Sequence, residues 1–417
     1  MAFGIDFGTS NSAVAFVDKK GKAKVARFRA VELDQTSSTA PTVLFFPSYQ
    51  KDTHYGHEAV RTYLFNGLEG RFIQSMKTFL PAKSFAGTQI RGQQLEIEDL
   101  VALYLKKLLA AAEASMGVSI REDVVLGRPA RFSLDPEADA LAEARLIRGA
   151  ERAGLSGFRL QIEPVAAALA YEASLDRDEV VLVADLGGGT SDFTVMRVGP
   201  KHQALTDRRQ SILASRGVPI AGDKLDAEIV RAALLPLFGQ GSSYVAFTDL
   251  APVPNWIFHE LLAWNHVSFL KSKKTLEFLR LVARTSDNKP AIQRLLRVVE
   301  EDQGYLLFRA VERAKRTLST DDRAMIEDAE HGLAVEAEVK RETFDRVTLP
   351  LVEQIWSTAL ECLAAAGLEP RAVDAVFMTG GTSLLPAVRE RFFSTFGEKK
   401  IRSGDNFTSV VEGLARA

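Results

Sequence analysis

The chain opens on an alternation of apolar positions with small or polar ones. Phe3, Ile5 and Phe7 are apolar, and Val14 and Phe16 resume the spacing after a Gly-Thr-Ser-Asn-Ser interruption. A period of two is typical of β-strands, and a short polar stretch with glycine between two such runs is typical of a tight turn. The pattern therefore predicts a strand, a turn and a second strand at the start of the chain.

The same arrangement returns in the middle of the chain. Residues 179–185 form a short apolar run of the buried-strand type, a glycine-rich turn follows, and apolar positions resume at Phe193, Val195 and Val198. Each copy ends its first strand on an aspartate, Asp6 in one and Asp185 in the other. We interpret the repeat as an internal duplication into two similar lobes.

Between the two copies the apolar period becomes helical. Apolar positions over 97–109 recur at helical spacing, acidic residues stand near the start, and Gly117 is the predicted stop. The pattern further predicts a strand over 123–129, a helix over 137–153, a strand over 160–163 and a helix over 164–171. Strands that alternate with helices predict an α/β fold.

The second half of the chain is predicted to be mainly helical. Long helical stretches are expected over about 271–282 and 291–318, followed by a strand over 375–378 that runs into Gly380 and Gly381. The residues from Thr408 onward are predicted to form a capped helix.

Composition narrows the class of protein. The chain has 417 residues, 46% hydrophobic and 25% charged, which is typical of a globular protein of two or three domains. The net charge of −2 gives no global basic excess, so neither nucleic acid nor a membrane surface is an expected partner. Cys362 is the single cysteine, which excludes an internal disulfide, and no export signal or membrane span is recognisable. We therefore expect a cytoplasmic location.

Three glycine-rich turns follow predicted strands. A turn of this kind lets backbone N–H groups approach phosphate oxygens without a Cβ in the way. None matches the P-loop or the dinucleotide-binding pattern, and a single turn of this type is more often structural. Three in matching context indicate a phosphate site. The turns are Gly8, Thr9, Ser10 and Asn11; Gly187, Gly188, Gly189 and Thr190; and Gly380, Gly381, Thr382 and Ser383.

Asp6, Asp185 and Asp192 are candidate magnesium ligands. Magnesium prefers oxygen ligands and keeps several waters, so a few carboxylates beside a polyphosphate form the expected site. The alternative is that Asp6 and Asp185 only end their strands and accept hydrogen bonds from turn amides. The six histidines show no zinc-binding spacing.

Five segments, in the same order, resemble the nucleotide-site segments of the heat shock protein 70 (DnaK-type) chaperones. The resemblance runs from residue 2 to about residue 414. It implies an actin-like ATPase fold of duplicated ribonuclease H-like lobes, each a mixed sheet flanked by helices, with an ATP cleft between the lobes. The segments are GIDFGTSNS (4–12), IEPVAAALAY (162–171), VADLGGGTSDFTV (183–195), ERAKRTLS (312–319) and TGGTSLLP (379–386).

The resemblance also implies a domain plan. Lobe I would span 1–176, with its core at 1–34 and 97–176 and a peripheral subdomain at about 35–96. Lobe II would span 177–417, with its core at 177–220 and about 345–417. Its peripheral subdomain, about 221–344, would include an elaborated insertion at about 240–303. A peptide-binding domain is not expected. An ATPase domain without a peptide-binding domain most resembles the truncated, YegD-like branch of the family.

Roles for individual residues follow from the resemblance. Asp6 and Asp185 would hold magnesium largely through water, with Asp192 nearby, and Glu163 and Thr190 would position the attacking water. The catalytic lysine would be Lys77, with Lys83 as the fallback. The phosphate loops would be formed by Gly8, Thr9, Ser10 and Asn11 and by Gly187, Gly188, Gly189 and Thr190. The nucleoside would be contacted by Gly222, Glu312, Lys315, Arg316, Ser319, Gly380, Gly381 and Thr382.

Two departures from the family pattern bear on binding. Leu384 stands where the family usually has an arginine that stacks on adenine, so nucleotide affinity is expected to be lower. The insertion carries Trp256, Phe258, Trp264 and Phe269 next to three lysines. Its aromatic residues are interpreted either as a small extra core or as a docking surface for a partner.

Three hypotheses on function remain open. The first is a slow magnesium-dependent ATPase of the chaperone family, which converts ATP and water to ADP and phosphate and whose nucleotide state controls lobe closure. Its partners would be the nucleotide and a protein client or co-chaperone, with the oligomeric state undetermined. The second is a nucleotide sensor that binds ATP or ADP with little turnover. The third is an actin-like filament protein or a small-molecule kinase, against which the ERAKRTLS segment argues.

Overall fold

A computed structural model describes most of the chain. The described residues are 2–18, 21–30, 35–49, 51–65, 69–85, 87–120, 123–133, 135–172, 174–205, 207–246, 249–263, 266–402 and 408–417. Among them, no helix has both the length and the apolar composition that crossing a membrane requires.

Short strands are distributed along the whole chain. In chain order they are β1 (Phe3–Asp6), β2 (Asn11–Val17), β3 (Ala23–Val25), β4 (Phe28–Ala30), β5 (Gln35–Ser37), β6 (Ala40–Pro41), β7 (Val43–Pro47), β8 (His54–Tyr55), β9 (Gly70–Gln74), β10 (Gly87–Ile90), β11 (Gln93–Glu96), β12 (Val124–Arg128), β13 (Arg159–Ile162), β14 (Glu179–Leu186), β15 (Ser191–Val198), β16 (Ile212–Val218), β17 (Ser243–Ala246), β18 (Asp249–Pro252), β19 (Arg323–Ile326), β20 (Ala337–Lys340), β21 (Ala375–Thr379) and β22 (Ile401–Arg402).

Helices separate these strands. They are α1 (Gly56–Phe65), α2 (Ile97–Met116), α3 (Pro136–Arg152), α4 (Glu163–Glu172), α5 (Pro200–Gln203), α6 (Gly222–Ile229), α7 (Asn255–Glu260), α8 (Lys273–Thr285), α9 (Lys289–Glu300), α10 (Gly304–Thr317), α11 (Arg341–Ala365), α12 (Pro386–Phe396) and α13 (Ser409–Arg416). Short 3₁₀ turns lie at Met76–Phe79, Arg208–Ser211, Pro236–Phe238, Val267–Lys271, Pro370–Ala372, Gly381–Leu384 and Glu398–Lys400, and a π-helical turn at Val230–Leu234 extends α6.

Two five-strand arrangements repeat the same topology. In the first the order is β13-β12-β1-β2-β3, and in the second it is β16-β15-β14-β21-β22. In each, the first strand in sequence pairs antiparallel with the next strand and parallel with a strand that comes much later. The duplicated mixed sheets flanked by helices confirm the predicted α/β class and the predicted opening hairpin.

The chain divides into two compact units. The first comprises Met1–Ala221 and Gln354–Ala417, and the second comprises Gly222–Glu353. Both five-strand arrangements lie in the first unit. The lobe boundaries given above remain predictions.

Local signals predicted several elements well. Helix α2 begins at Ile97 with a capping box between Glu96 and Asp99, and Gly117 ends it with a φ of 67°. Helix α3 starts one residue before the prediction, because Asp135 accepts a hydrogen bond from the Glu137 amide and Pro136 suits the first turn.

The predicted continuous helix over 291–318 is wrong. Helix α9 ends at Glu300 and α10 begins at Gly304, with Asp302 between them at a φ of 54°. The Gln303 side chain is buried, donates to the Gly332 carbonyl and accepts from the Ala334 amide. Both helices bury one face, so the helical spacing of apolar residues continues from α9 into α10. The pattern alone therefore does not show where one helix ends and the next begins.

Helix α13 confirms the predicted helix after Thr408 and packs against β1 and α4. The Thr408 hydroxyl bonds to the Glu412 carboxylate rather than capping the helix backbone. An added Cβ at Gly4 would lie 2.5 Å from both the Val411 carbonyl oxygen and the Ala415 amide nitrogen. At Gly413 an added Cβ would overlap the Ala166 carbonyl. Glycine at positions 4 and 413 therefore permits the close approach of these elements.

In the second unit, the insertion has its own small core. Ile257 and Phe258 of α7 are buried, as are Val267 and Leu270 of the turn that follows. Trp256 and Phe269, in contrast, are 48% and 65% exposed, and Trp264 lies outside the described residues. The aromatic residues are thus divided between a core and the surface.

Candidate functional site

A buried lysine and several carboxylates meet in the first unit. Lys77, in the 3₁₀ turn Met76–Phe79, places its Nζ atom 2.9 Å from Oε1 of Glu163, the first residue of α4. The two side chains are only 11% and 6% exposed. Asp6, at the end of β1, and Asp185, in β14, lie within electrostatic range of this pair. The aspartates of the two sequence repeats therefore face one cluster.

Burial and mutual electrostatic interaction shift the pKa values of the groups in this cluster. Burial raises the pKa of Asp6 to about 8, assisted by Glu163 and Asp185 and opposed by Lys77. Burial also raises the pKa of Glu163, against the attraction of Lys77. For Lys77, burial disfavours the ammonium form, but the carboxylates around it keep its pKa above the ordinary value. The cluster thus places buried carboxyl groups, whose ionised forms burial disfavours, around one buried ammonium group.

Asp185 and Asp192 lie opposite each other on neighbouring antiparallel strands. The register pairs Asp185 of β14 with Asp192 of β15, so both side chains lie on one face of the sheet. Thr379 of β21 donates to Asp185 at 2.9 Å, and Thr190 donates to Asp192 at 2.7 Å. Burial raises the pKa of Asp192 to about 7, which the Thr190 hydrogen bond opposes and Asp185 reinforces.

The first two glycine turns converge beside this cluster. An added Cβ at Gly8 would overlap the Asn11 carbonyl, so the first turn requires glycine. An added Cβ at Gly189 would lie 3.7 Å from the Thr9 methyl group and 3.9 Å from that of Thr78, the residue after Lys77. The two turns and the lysine segment therefore border one space.

The third glycine turn packs on the second. The Thr382 hydroxyl donates to the Gly187 carbonyl at 2.7 Å. Gly380 has a φ of 79°, and an added Cβ there would overlap the Leu186 carbonyl. Leu384 closes this turn and is 38% exposed. All three predicted turns thus belong to one neighbourhood of the first unit.

The predicted nucleoside contacts on α10 belong to the second unit. Glu312, Lys315 and Arg316 lie at helical spacing on α10, and Ser319 follows one turn later. Lys315 Nζ donates to Asp226 Oδ2 at 2.7 Å and to the Gly222 carbonyl at 3.1 Å. The structure therefore brings the Lys315 side chain to the start of α6, where Gly222 was predicted to contribute.

The structure separates Lys77 from its alternative, Lys83. The Lys83 side chain is 52% exposed and pairs with Asp135 and Glu137, both at the surface. Lys77 is the lysine that meets Asp6 and Glu163. Its catalytic role remains a prediction, but the geometry favours it over Lys83.

Four residues of the site were missed from the sequence. Thr379 donates to Asp185, and Asp226 accepts from Lys315. Arg128 pairs with Asp139 and Glu143, and its charge weakly opposes the rise that burial causes in the pKa of Glu163. Gly127 leaves room for Glu163, because an added Cβ would lie 3.1 Å from its Oε1 atom. The sequence held a signal for Thr379, since it ends the strand that leads into Gly380. The other three contacts depend on the packing of elements that lie far apart in sequence.

Carboxylate oxygens are the donor type that magnesium prefers, and Asp6, Asp185 and Asp192 supply them. Within the part of the chain that the structure describes, no three acidic, histidine or cysteine side chains are close enough to ligate one ion directly. The donor chemistry of the three aspartates fits magnesium, and its ligation by them stays a prediction.

Comparison with known proteins gives a consistent result. The sequence model described as Hsp70 protein matches residues 2–204 and 298–415. The chain is 26% identical over 433 aligned residues to the chaperone protein DnaK of two strains of Thermus thermophilus, and 26% identical over 416 to that of Thermosipho melanesiensis. Each alignment covers 99% of this chain but only 58% to 60% of the relative, so the chain spans about three fifths of their length.

Proposed function

The chain belongs to the Hsp70 family, with its actin-like ATPase fold, and we propose that it binds ATP and ADP and hydrolyses ATP to ADP and phosphate. The observation that carries the proposal is the Lys77–Glu163 ion pair beside Asp6 and Asp185. Phosphoryl transfer depends on charge neutralisation and placement more than on covalent catalysis. A buried lysine among carboxylates, bordered by glycine turns, has the groups for both.

The glycine turns would hold the phosphates. Turn amides around Thr9 and around Gly188 would donate to phosphate oxygens, as glycine-rich backbone commonly does for anions. Lys77 would add a positive charge directed at the same space. The close approach of Gly189, Thr9 and Thr78 supports one shared phosphate position rather than separate ones.

Magnesium would be held near Asp6, Asp185 and Asp192 through its waters. The raised pKa values of Asp6 and Asp192 are consistent with this assignment, because burial disfavours their ionised forms and a nearby cation would favour them. When bound with ATP, the ion would neutralise phosphate charge. The protein's own part is to keep the carboxylates in place, and Thr379 does this for Asp185.

Glu163 and Thr190 would orient the attacking water. The Glu163 carboxylate keeps one oxygen on Lys77, and Thr190 donates its hydroxyl hydrogen to Asp192. Burial raises the pKa of Glu163 while one of its oxygens stays on Lys77, so taking up a proton from water would break a buried ion pair. We therefore propose slow hydrolysis.

The nucleoside contacts assigned to Glu312, Lys315, Arg316 and Ser319, and those assigned to the Gly380 turn, stay predictions from the family resemblance. Because Asp6 and Asp185 come from the two sequence repeats, nucleotide binding would bias the angle between the predicted lobes, as in hinge closure. The relatives are named chaperones, and we propose a chaperone-type role with a protein client or a co-chaperone as partner. Placement in the YegD-like branch and a cytoplasmic location remain predictions.

Calorimetry with ATP and with ADP in the presence of magnesium, run beside a single-turnover phosphate-release assay, tests the proposal. Binding with slow release is expected, and the Asp185→Asn variant should lose release. Binding without release would favour the nucleotide sensor, and ATP-dependent sedimentation would favour a filament protein. Absence of nucleotide binding would overturn the proposal.

A further inference from the structure

Helix α8 carries a concentration of positive charge in a nearly neutral chain. Between residues 271 and 297 the sequence has eight basic residues and two acidic ones, whereas the whole chain has a net charge of −2. The whole of this segment lies in residues 205–297, which the Hsp70 sequence model does not match. The basic residues are Lys271, Lys273, Lys274, Arg280, Arg284, Lys289, Arg294 and Arg297, and the acidic ones are Glu277 and Asp287.

Half of these basic side chains already have partners inside the second unit. Lys271 pairs with Asp302, Arg280 with Glu300, and Arg297 with Glu301, and Arg294 donates to the Leu237 carbonyl. The other four, all exposed, make no ion pair within the described part of the chain. They are Lys273, Lys274, Arg284 and Lys289.

Apolar side chains lie among the unpaired charges. Leu281 is 40% exposed on α8, and it shares a helix face with Lys274, Glu277 and Arg284, which are seven, four and three positions away. The opposite side of the helix buries Leu279, Val282 and Ala283. The outward side is therefore both apolar and basic, rather than simply polar.

Phe269 extends this surface at the start of the helix. It is 65% exposed in the turn Val267–Lys271, which leads directly into the Ser272 cap of α8. Its ring centroid lies 5.4 Å from that of His266. Of the ten large apolar side chains that are exposed in the described chain, five lie between residues 245 and 281. Such a concentration is typical of an interaction surface.

We propose that the α8 face, defined as Phe269, Lys273, Lys274, Leu281 and Arg284, docks an acidic segment of a partner protein. Charge complementarity favours an acidic ligand, because the cations of this face make no ion pair with any residue that the structure describes. The exposed Phe269 and Leu281 favour a protein over a nucleic acid, since they would pack against apolar side chains between the acidic ones.

Fluorescence anisotropy with a labelled peptide that alternates glutamate pairs with leucines tests the proposal. Binding to the full chain is expected, with little binding of the same peptide carrying lysine for glutamate. The K273E/K274E variant should weaken binding about tenfold or more, and raising the salt should have a similar effect. Lys106 and Lys107, an exposed lysine pair on α2, provide the matched control K106E/K107E, which should bind as the unmodified chain does.

The apolar part of the surface has its own matched pair. Leu281→Ser should weaken binding several-fold, whereas Leu360→Ser, on α11 and 38% exposed, should not. Circular dichroism melting of each variant verifies folding, so a loss of binding by a folded variant supports the proposal. Equal effects of the α2 and α8 charge reversals would overturn it. The proposal would also be overturned if the folded chain failed to bind the acidic peptide but bound duplex DNA, anionic vesicles or a second copy of itself through this face.

Discussion

The Lys77 ammonium lies 2.9 Å from the Glu163 carboxylate, although 86 residues separate the two in sequence. The contact joins a one-turn 3₁₀ segment to the first residue of α4. Both side chains are nearly fully buried, so removing either one leaves an uncompensated charge. This pair fixes the position of the lysine relative to Asp6 and Asp185.

Substitution of Lys77 by methionine should reduce ATP turnover by about 10²- to 10³-fold, because a buried charge aimed at the phosphates is lost. Affinity for ATP, measured by calorimetry, should fall much less. The control is Lys83→Met, whose exposed ion pairs with Asp135 and Glu137 contribute little. A turnover that falls with Lys83→Met and not with Lys77→Met would reverse the assignment.

Stability of the nucleotide-free protein should depend on Asp192. The folded pKa is about 7, against an ordinary value of 3.8, so between these values the folded chain holds a proton that the unfolded chain has released. Raising the pH through this range therefore favours unfolding. Asp192→Asn should raise the melting temperature by about 1 to 3 °C at pH 8 and by little at pH 4.

The exposed Asp249, in β18, provides the control for the pH experiment. Asp249→Asn should shift the melting temperature equally at both pH values. If Asp192→Asn were no more stabilising at pH 8 than at pH 4, the carboxyl would not be held in the buried environment described here.

Gly413→Ala should destabilise the protein by about 2 kcal/mol or more, since the new methyl group would overlap the Ala166 carbonyl. Helix α4 contains Ala166 and begins at Glu163, so turnover should also fall. Gly187→Ala is the control. An added Cβ at Gly187 would lie 3.6 Å from the Thr190 carbonyl oxygen, an ordinary contact, so the melting temperature of this variant should lie within a degree or two of that of the unmodified chain. Denaturant unfolding measures the first change and thermal melting measures the second.

Leu384→Arg should increase affinity for adenine nucleotides by about two- to fivefold, because a guanidinium at this exposed turn could stack on the base. Calorimetry with ADP measures the change, and magnesium tripolyphosphate, which has no base, should show none. Leu360→Arg, at the same 38% exposure, is the matched variant. An equal gain from both would indicate a general charge effect.

Local patterns predicted much of the fold. The alternation at Phe3, Ile5 and Phe7 and the helical spacing of α2 each depend on neighbours in sequence, and the structure confirms both elements. The repeat of strand, aspartate and glycine turn also predicted two copies of one topology, which the two sheets share. These features are readable because burial acts on residues two to four positions apart.

The contacts within the site could not be read in this way. Thr379 reaches Asp185 across 194 residues, through the parallel register of β14 and β21. Lys315 reaches Asp226 across 89 residues, between two helices. Such pairs depend on the packing of whole elements, so sequence spacing carries no record of them.

The packing of α13 on the first two strands has a consequence for synthesis of the chain. Ala13 and Ala15 of β2 are buried against Val411 and Ala415. The ribosome adds these α13 residues about 400 positions after the β2 residues that they cover. At translation rates of about 5 to 20 residues per second, the delay is about 20 to 80 s. During that interval the face of β2 that carries Ala13 and Ala15 lacks the helix that covers it in the folded protein.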